Sequence, residues 1–225
     1  IPDAYIARLD SDTMRKSSDL HTMLDAFGKG EIKVLLGTQI IAKGLDFPNV
    51  KLVGVIDADT AIDLPDFRAA ERTYQLVSQV CGRCGRGEGH SKAIIQTYSP
   101  NASAITLASQ SAFEQFANEE LSFRHASQVP PSNRMARFII RDKNFEHAAG
   151  RADSLAERLS SIASDEITVF PAAACVLPRI ADRFRFDVTV TSPTSKALQA
   201  FLKKARKTVK PGKELAIDID PISML

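Results

Sequence analysis

Hydrophobic positions in the first half of the chain alternate between short continuous runs and runs at helical spacing. The continuous runs predict strands at residues 32–36 and 52–56, and further strands are predicted at 4–9 and 93–97. Between 4–9 and 32–36, Leu20, Leu24 and Phe27 recur on one helical face, and a second such set lies between residues 67 and 80. This alternation predicts an α/β fold with a parallel sheet, and the apolar runs predict strands buried on both faces.

The second half of the chain follows a different order, which predicts a smaller α+β domain. Strands are predicted at 136–141, 166–170, 184–191 and 215–219, and helices at 145–162 and 195–207. The order β-α-β-β-α-β is the split, ferredoxin-like arrangement. In the third strand Phe184, Phe186, Val188 and Val190 alternate with Arg185, Asp187 and Thr189, which predicts a sheet with one face in water.

The two halves are predicted to meet at a proline-containing linker. Residues 101–121 are helix-prone, and Pro130 and Pro131 follow them. Because proline ends helices and stiffens linkers, we expect a first domain at 1–122, a linker at 123–134 and a second domain at 135–225.

Composition narrows the class of protein. No apolar run approaches the ~20 residues of a membrane-spanning helix, and three scattered cysteines fit a reducing cytosol better than a disulfide framework. The chain begins without methionine and almost inside a strand, so we expect it to be a piece of a longer protein. Net charge is only +2, but residues 203–213 hold six basic side chains and no acidic one.

A glycine-rich stretch at residues 75–89 carries the clearest chemical signal. Arg83 and Arg86 lie three residues apart on a predicted turn, and Gln79 lies one helical turn before Arg83. The guanidinium group is a rigid cationic fork that binds phosphate oxygens in pairs. Two forks on a bare turn are typical of arginine fingers, which stabilise the charge of a phosphoryl group in transfer.

Two other interpretations of the same stretch remain open. Its glycines also resemble a dinucleotide-binding loop, but such a loop follows a strand and opens a helix, whereas this one follows a helix. Cys81 and Cys84 form a C-x-x-C pair that could bind zinc or act in redox chemistry. Since a structural zinc site needs four ligands and Cys175 is the only other cysteine, we expect two small packed side chains and no metal site.

The loop after the second strand mixes small, amide, cationic and acidic side chains. Thr38, Gln39 and Lys43 are residue types that hold a sugar-phosphate backbone without reading bases. Gly44 permits unusual backbone angles, and Asp46 can accept from a hydroxyl or pair with an arginine. An ordinary polar connection with helix caps would explain the same residues equally well.

Residues 37–59 and 75–89 together resemble motifs V and VI of superfamily 2 helicases. More closely, they resemble the primosomal protein N′ family of replication-restart DNA helicases, and the likeness continues through residues 67–72 and 218–221. Residues 9–13 resemble the neighbourhood of motif IV. The resemblance implies that the first domain is a RecA-like helicase lobe and that the whole is the C-terminal part of an ATP-dependent 3′-to-5′ helicase.

The resemblance also implies roles for individual residues. Gln79, Arg83 and Arg86 would face a nucleotide bound on the other motor lobe. Gly44 and Asp46 would couple the nucleotide cleft to the DNA path. Thr38, Gln39 and Lys43 would lie near the DNA strand backbone.

The charge pattern of the second half suggests a further DNA contact, independently of the resemblance. A basic face for the DNA backbone could form from residues 203–213, which include Lys203, Lys204 and Lys207, together with Arg179, Arg183 and Arg185. An ordinary solvated helix surface would explain the same charges.

The sequence lacks the other half of an ATP site. No phosphate-binding G-x-x-x-x-G-K-[ST] loop occurs, and Asp57 and Asp59 are therefore predicted to be structural. We expect ATP and Mg²⁺ to act only in the complete protein, the family's zinc cluster to precede this chain, and this chain alone to bind no cofactor and hydrolyse no ATP.

Expected partners are forked or single-stranded DNA, other primosome proteins and single-strand-binding protein, near the nucleoid in a bacterial cytoplasm. Two alternatives remain: a non-catalytic scaffold that binds DNA or a partner, and a lobe of another superfamily 2 translocase, RNA helicases included.

Overall fold

The computed structural model describes residues 5–9, 17–37, 50–82 and 91–224. They form two compact units. The first unit comprises the described residues up to Ile62 together with Glu71–Phe113, and the second comprises Asp63–Ala70 together with the residues from Glu114 onward.

The first unit is built from short parallel strands and helices. Its strands are β1 (Ile6–Leu9), β2 (Val34–Gly37), β3 (Leu52–Val55) and β4 (Lys92–Ile95). Its helices are α1 (Ser17–Gly28), α2 (Asp59–Ile62), α4 (Ser103–Ser109) and most of α3 (Ala69–Cys81). β1 pairs with β2 and β3 pairs with β4, both in parallel, so parallel pairing is confirmed; in the described part of the chain no ladder joins the two pairs.

The predicted burial of β2 and β3 on both faces is wrong. Leu36 at the end of β2 is 47% exposed, Leu52 on β3 is 60% exposed, and Ile56 just after β3 is 79% exposed. Burial of both faces requires a layer on each side of a continuous sheet. Within the described residues each pair is only two strands wide, and its apolar side chains are incompletely covered.

The second unit is an antiparallel sheet with two long helices. Its elements in chain order are α5 (Phe113–Ala126), β5 (Arg134–Asp142), α6 (Phe145–Ile162), β6 (Thr168–Val169), β7 (Ala173–Ile180), β8 (Arg183–Ser192), α7 (Ser195–Thr208) and β9 (Leu215–Ile219). The hydrogen-bonded order is β6-β8-β5-β9, and β7 also pairs with β8. Helix α5 runs to Ala126, inside the stretch predicted as a linker, so the position of that linker stays a prediction.

Both long helices begin at residues that cap them. The Asn144 side chain accepts a hydrogen bond from the His147 backbone N–H at 3.0 Å, and Thr194 accepts one from Ala197 at 3.2 Å. Such caps satisfy backbone donors that have no partner within the helix. The capped helices pack on one face of the sheet, where Leu155 and Leu159 of α6 and Phe201 of α7 meet the apolar side chains of β5 and β8.

The opposite face of the sheet was predicted to face water, and this prediction is wrong. Arg185 is 6% exposed and Asp187 7% exposed, and Thr191 on the same strand is fully buried. Pro65, Phe67, residues 170–176 and Met224 line, together with this face, a cleft of about 510 Å³. These segments shield the polar side chains of β8 from solvent.

The charge of Asp187 is balanced by Arg137 from the neighbouring strand β5. Nε of Arg137 donates to Oδ2 of Asp187 at 2.7 Å, and Nη2 donates to the same oxygen. The Arg137 side chain is 1% exposed. Burial of an unpaired charge is strongly destabilising. Each of these two residues therefore supplies the opposite charge that allows the other to be buried.

Candidate functional site

Helix α3 positions the first of the predicted nucleotide-facing residues. Tyr74, Val77 and Val80 are buried on one side of the helix, while Gln79 is exposed on another. The Gln79 side chain makes no hydrogen bond to any other residue in the described part of the chain. Its neighbour one turn earlier, Gln75, donates to Glu71 Oε1 at 3.2 Å. The exposure of Gln79 is compatible with its predicted nucleotide contact, which stays a prediction.

Gly82 ends the described part of this motif. Its N–H donates to the Ser78 carbonyl at 2.9 Å, and a Cβ on Gly82 would lie 3.2 Å from that same oxygen. A side chain there would crowd the last turn of the helix. The residues that follow, including Arg83, Cys84 and Arg86, lie outside the described residues. So do the other predicted nucleotide-coupling and DNA-backbone residues of the first unit: Thr38, Gln39, Lys43, Gly44 and Asp46.

The two aspartates after β3 have structural contacts. Asp57 accepts hydrogen bonds from Thr60 through both carboxylate oxygens, at 3.3 Å from the backbone N–H and 2.7 Å from Oγ1. Asp59 ties α2 to the segment after β4, accepting from Thr97 Oγ1 and from the backbone N–H groups of Tyr98 and Ser99 at 2.8–3.2 Å. These contacts fit the structural role predicted for both residues.

The environment of Asp59 lowers its pKa below the ordinary value for an aspartate. Burial alone would raise the pKa of the carboxyl, but the hydrogen bonds from Tyr98, Thr97 and Ser99 together outweigh burial because they stabilise the ionised form. A lowered folded-state pKa means that Asp59 stabilises the fold above its unfolded pKa. That contribution is lost as the pH falls through the folded pKa.

We expect the Asp59→Asn variant to have a lower free energy of unfolding than the wild type at neutral pH. In acid, this free energy should depend less on pH than that of the wild type. The wild-type free energy of unfolding should fall as the pH drops below about 4, the unfolded aspartate pKa, and Asp59→Asn should flatten that slope. Urea titrations between pH 3 and 7 measure both effects. Asp25→Asn, an exposed position on α1, is the matched control; an equal flattening in the control would contradict the assignment to Asp59.

Helix α7 presents the predicted basic face. Leu198, Phe201, Leu202 and Ala205 are buried, and Lys203, Lys204 and Lys207 are all exposed. Within the described ranges no ion pair neutralises these three lysines. Arg206 and Lys210 are exposed beside them. The helix therefore offers a cluster of uncompensated positive charge, which is the arrangement that binds a phosphate backbone.

The basic face does not extend to Arg185, contrary to expectation. Arg185 is buried, and its Nη1 donates to the Leu177 carbonyl at 3.3 Å on the adjacent strand. Arg179, by contrast, is exposed, but it pairs with Asp182 at 3.0 Å and stacks on the Phe184 ring. Neither of these arginines is a simple extension of the lysine cluster on α7.

Sequence reasoning missed a set of polar contacts around Asp66. This residue is 7% exposed and accepts hydrogen bonds from Arg68, Ser223 and Met224. The partners lie far apart in the chain, so spacing gave no sign of them. The Arg137–Asp187 pair was missed as well, because each of the two strands carries other charged residues and the sequence does not show which of them face each other.

No group of three or more potential metal-ligating side chains occurs among the described residues. In the same part of the chain, no helix combines the length and apolar character needed to cross a membrane.

Comparison with protein families matches the two halves of the chain separately. The model for "Helicase conserved C-terminal domain" matches residues 3–88, and the model for "Primosomal protein N C-terminal domain" matches residues 125–222. The first range contains all the predicted nucleotide-facing residues. The second contains the basic helix α7.

Individual relatives cover the whole chain. It is 37% identical over 230 residues to the replication restart protein PriA of Bacillus subtilis, 36% identical over 227 residues to that of Borreliella burgdorferi, and 37% identical over 228 residues to that of Treponema pallidum. All of this chain is aligned in each case, against 29%, 34% and 34% of the relative. The chain thus spans about a third of the length of the relatives it matches.

Proposed function

The chain belongs to the PriA family of replication restart proteins, as a C-terminal part of such a protein, and from that premise we propose that it supplies the second motor lobe of an ATP-dependent DNA helicase. In this proposal Arg83 and Arg86 are arginine fingers and Gln79 contacts the nucleotide. The observation that carries the proposal is the helicase-domain match over residues 3–88, which includes all three residues. The exposure of the Gln79 side chain supports it.

The proposal includes a fold for each half. Residues 1–122 would be a RecA-like lobe, which the parallel pairing of β1 with β2 and of β3 with β4 supports. Residues 135–225 would be a ferredoxin-like domain, with residues 123–134 joining the two. Support comes from the strand order, in which β9 lies beside β5, and from the packing of α6 and α7 on one face.

The chemistry divides between this chain and the remainder of the complete protein. ATP and Mg²⁺ would be bound by phosphate-binding residues outside this chain, and the zinc site of the family would also lie outside it. Here Gly44 and Asp46 would couple nucleotide to DNA movement. Positive charge aimed at the transferred phosphoryl group stabilises its transition state more than its ground state, which is the source of catalysis.

The chain alone should not hydrolyse ATP. It has no phosphate-binding loop, so arginine fingers have no anchored triphosphate to act on. A phosphate-release assay with and without single-stranded DNA measures this, with the complete protein as the positive control. Turnover by the chain above the buffer blank, abolished by Arg86→Ala, would contradict the division of the site.

The second part of the proposal concerns DNA. Thr38, Gln39 and Lys43 would hold the strand in the motor lobe, and Lys203, Lys204 and Lys207 would bind its backbone from α7. The exposure of the three lysines and their lack of ion pairs in the described residues support this. Such contacts neutralise phosphates and release counterions, so the binding would weaken steeply with salt.

Reversing the charge of Lys203, Lys204 and Lys207 to glutamate should weaken DNA binding. Loss of three phosphate contacts should also reduce the salt slope of log K by roughly 2 for single-stranded DNA. Fluorescence anisotropy between about 50 and 300 mM salt measures both quantities. A control triple reversal at exposed Lys29, Lys33 and Lys51 in the first unit changes net charge equally. Equal weakening in both triples would indicate a net-charge effect and contradict a site on α7.

Partners and location follow as proposals from the same premise. The complete protein would act on forked or single-stranded DNA together with primosome proteins and single-strand-binding protein, in the bacterial cytoplasm near the nucleoid. The relatives' name, replication restart protein, supports a role in restart.

A further inference from the structure

A groove of about 580 Å³ follows helix α6 in the second unit. Ser154 and Arg158 of α6 lie on one side of it, and residues 208–210, at the end of α7, lie on the other. The groove is adjacent to the lysines of α7, because Thr208, which lines it, directly follows Lys207. The groove therefore begins where the basic face of α7 ends.

Arg158 is oriented by one hydrogen bond and has no counter-ion in the described part of the chain. Its Nη2 donates to the Thr208 carbonyl at 2.6 Å, which holds the guanidinium group beside the C-terminus of α7. The remaining N–H groups of Arg158 have no acceptor among the described residues. Because the guanidinium group is a rigid fork of N–H donors, its free edge can bind two oxygens of one phosphate.

Arg151 lines the same groove about two helical turns earlier, but its charge is already neutralised. Its Nη1 donates to Asp142 at 3.2 Å and to Glu214 at 2.8 Å. Glu146 also lies toward that end of the groove, twelve residues before Arg158 and so about 18 Å away along α6. The two ends of the groove thus differ, and only the end at Arg158 has an excess of positive charge.

A second cation lies at the Arg158 end of the groove. Lys210 lines the groove, is exposed and makes no ion pair within the described ranges. Ser154, one helical turn before Arg158, adds a hydroxyl to the same wall. Arginine, lysine and serine side chains are donors that proteins use for phosphate oxygens. The C-terminus of α7 carries a partial negative charge, so an anion here depends on both cations.

We propose that this end of the groove binds one phosphate group of a DNA strand that lies along α7, with Arg158 and Lys210 as the binding residues. The inference rests on the proposed DNA binding by the α7 lysines, and it extends the path of the strand from Lys203 and Lys207 past the end of the helix. DNA is favoured over a free phosphate ion because the unpaired cations continue from the groove along α7, as an extended polyanion requires.

The test measures the affinity of the complete protein for single-stranded DNA at several salt concentrations. Arg158→Gln removes the charge but keeps a side-chain amide donor, and Arg158→Lys keeps the charge but loses the fork. Lys143→Gln, at an exposed position just before α6, is the control for net charge. Hydrogen exchange of the backbone amides of α7 reports separately whether loss of the Thr208 contact disturbs the helix.

We expect Arg158→Gln to reduce the salt slope of log K by about 0.7 and to weaken binding about fivefold at about 0.1 M salt, as the loss of one phosphate contact predicts. Arg158→Lys should restore the slope but only part of the affinity, because the charge remains without the second hydrogen bond. Lys210→Gln should also weaken binding. Lys143→Gln should leave slope and affinity unchanged, and exchange in α7 should stay close to that of the wild type in every variant.

Wild-type affinity and salt slope in Arg158→Gln would overturn the inference. The triple reversal of Lys203, Lys204 and Lys207, measured in the same assay, then separates two levels. If the triple variant binds DNA weakly, only the groove site fails. If the triple variant also binds normally, the proposed DNA binding by α7 fails together with the groove site.

Three other outcomes would count equally against the groove site. Equal losses of affinity in Arg158→Gln and Lys143→Gln would indicate an effect of net charge. A loss of affinity accompanied by fast exchange throughout α7 would indicate a damaged helix. Inorganic phosphate, titrated at constant ionic strength, tests for a free anion: Arg158-dependent binding of phosphate, with DNA affinity equal in wild type and Arg158→Gln, would indicate a site for a free anion instead of DNA.

Discussion

Replacing Arg86 with alanine in the complete protein should lower ATP turnover by about a thousandfold or more. Arginine fingers contribute on the order of 10³–10⁵ to phosphoryl transfer because their charge is placed where negative charge develops in the transition state. Binding of ATP should change little, since the ground-state triphosphate is held mainly by other residues. Single-turnover and steady-state assays with DNA present separate the chemical step from binding.

The shape of the arginine side chain provides the control. Arg86→Lys keeps a positive charge but loses the planar fork, so we expect it to recover only part of the lost turnover. DNA affinity should be unchanged in both variants, which distinguishes a fault in phosphoryl transfer from a fault in DNA binding. A variant with normal turnover but weak DNA affinity would instead support the non-catalytic scaffold.

Local periodicity predicted most of the second unit well. Helix α6 and strand β9 have the bounds expected from the sequence, and β8 differs by one residue at each end. These elements carry long, regular apolar patterns and polar caps. Strand β7 was missed because Pro178 interrupts it and proline disfavours a strand interior. It lies at the edge of the sheet, beside β8, with an irregular register between Ala174 and Arg179.

What the sequence could not predict is which segments cover a face. Apolar and polar side chains alternate along β8, so the sequence shows that the strand has an apolar face and a polar face. The residues that pack over the polar face come from positions as distant as Pro65 and Met224. Such contacts depend on the fold as a whole. The same limitation applies to the contacts of Asp66, since Asp66 and Ser223 are 157 positions apart.

The candidate site shows the same division between local and distant information. The exposure of Gln79 and of the α7 lysines follows from helical spacing, because the buried residues of each helix define the other side. The exclusion of Arg185 from the basic face does not follow from spacing. It depends on β7, the strand that the sequence did not reveal, since the Arg185 side chain bonds to that strand.

Replacing Asp187 with asparagine should destabilise the second unit by about 3 kcal/mol, because it leaves the buried Arg137 charge without a counter-ion. The asparagine amide oxygen can still accept a hydrogen bond from Arg137, but it carries no charge. Hydrogen exchange of the β5 and β8 backbone amides reports this unit specifically, and its dependence on urea gives the free energy of opening.

Two further variants determine whether burial or pairing causes the loss. Asp182→Asn breaks the exposed pair with Arg179, in which the Arg179 and Asp182 side chains are 58% and 89% exposed, and should cost less than about 0.5 kcal/mol because solvent screens it. The double change Arg137→Met with Asp187→Leu removes both charges and should be much less destabilising than Asp187→Asn alone. If Asp187→Asn costs no more than Asp182→Asn, the pair is not the buried electrostatic link between β5 and β8 that its geometry indicates.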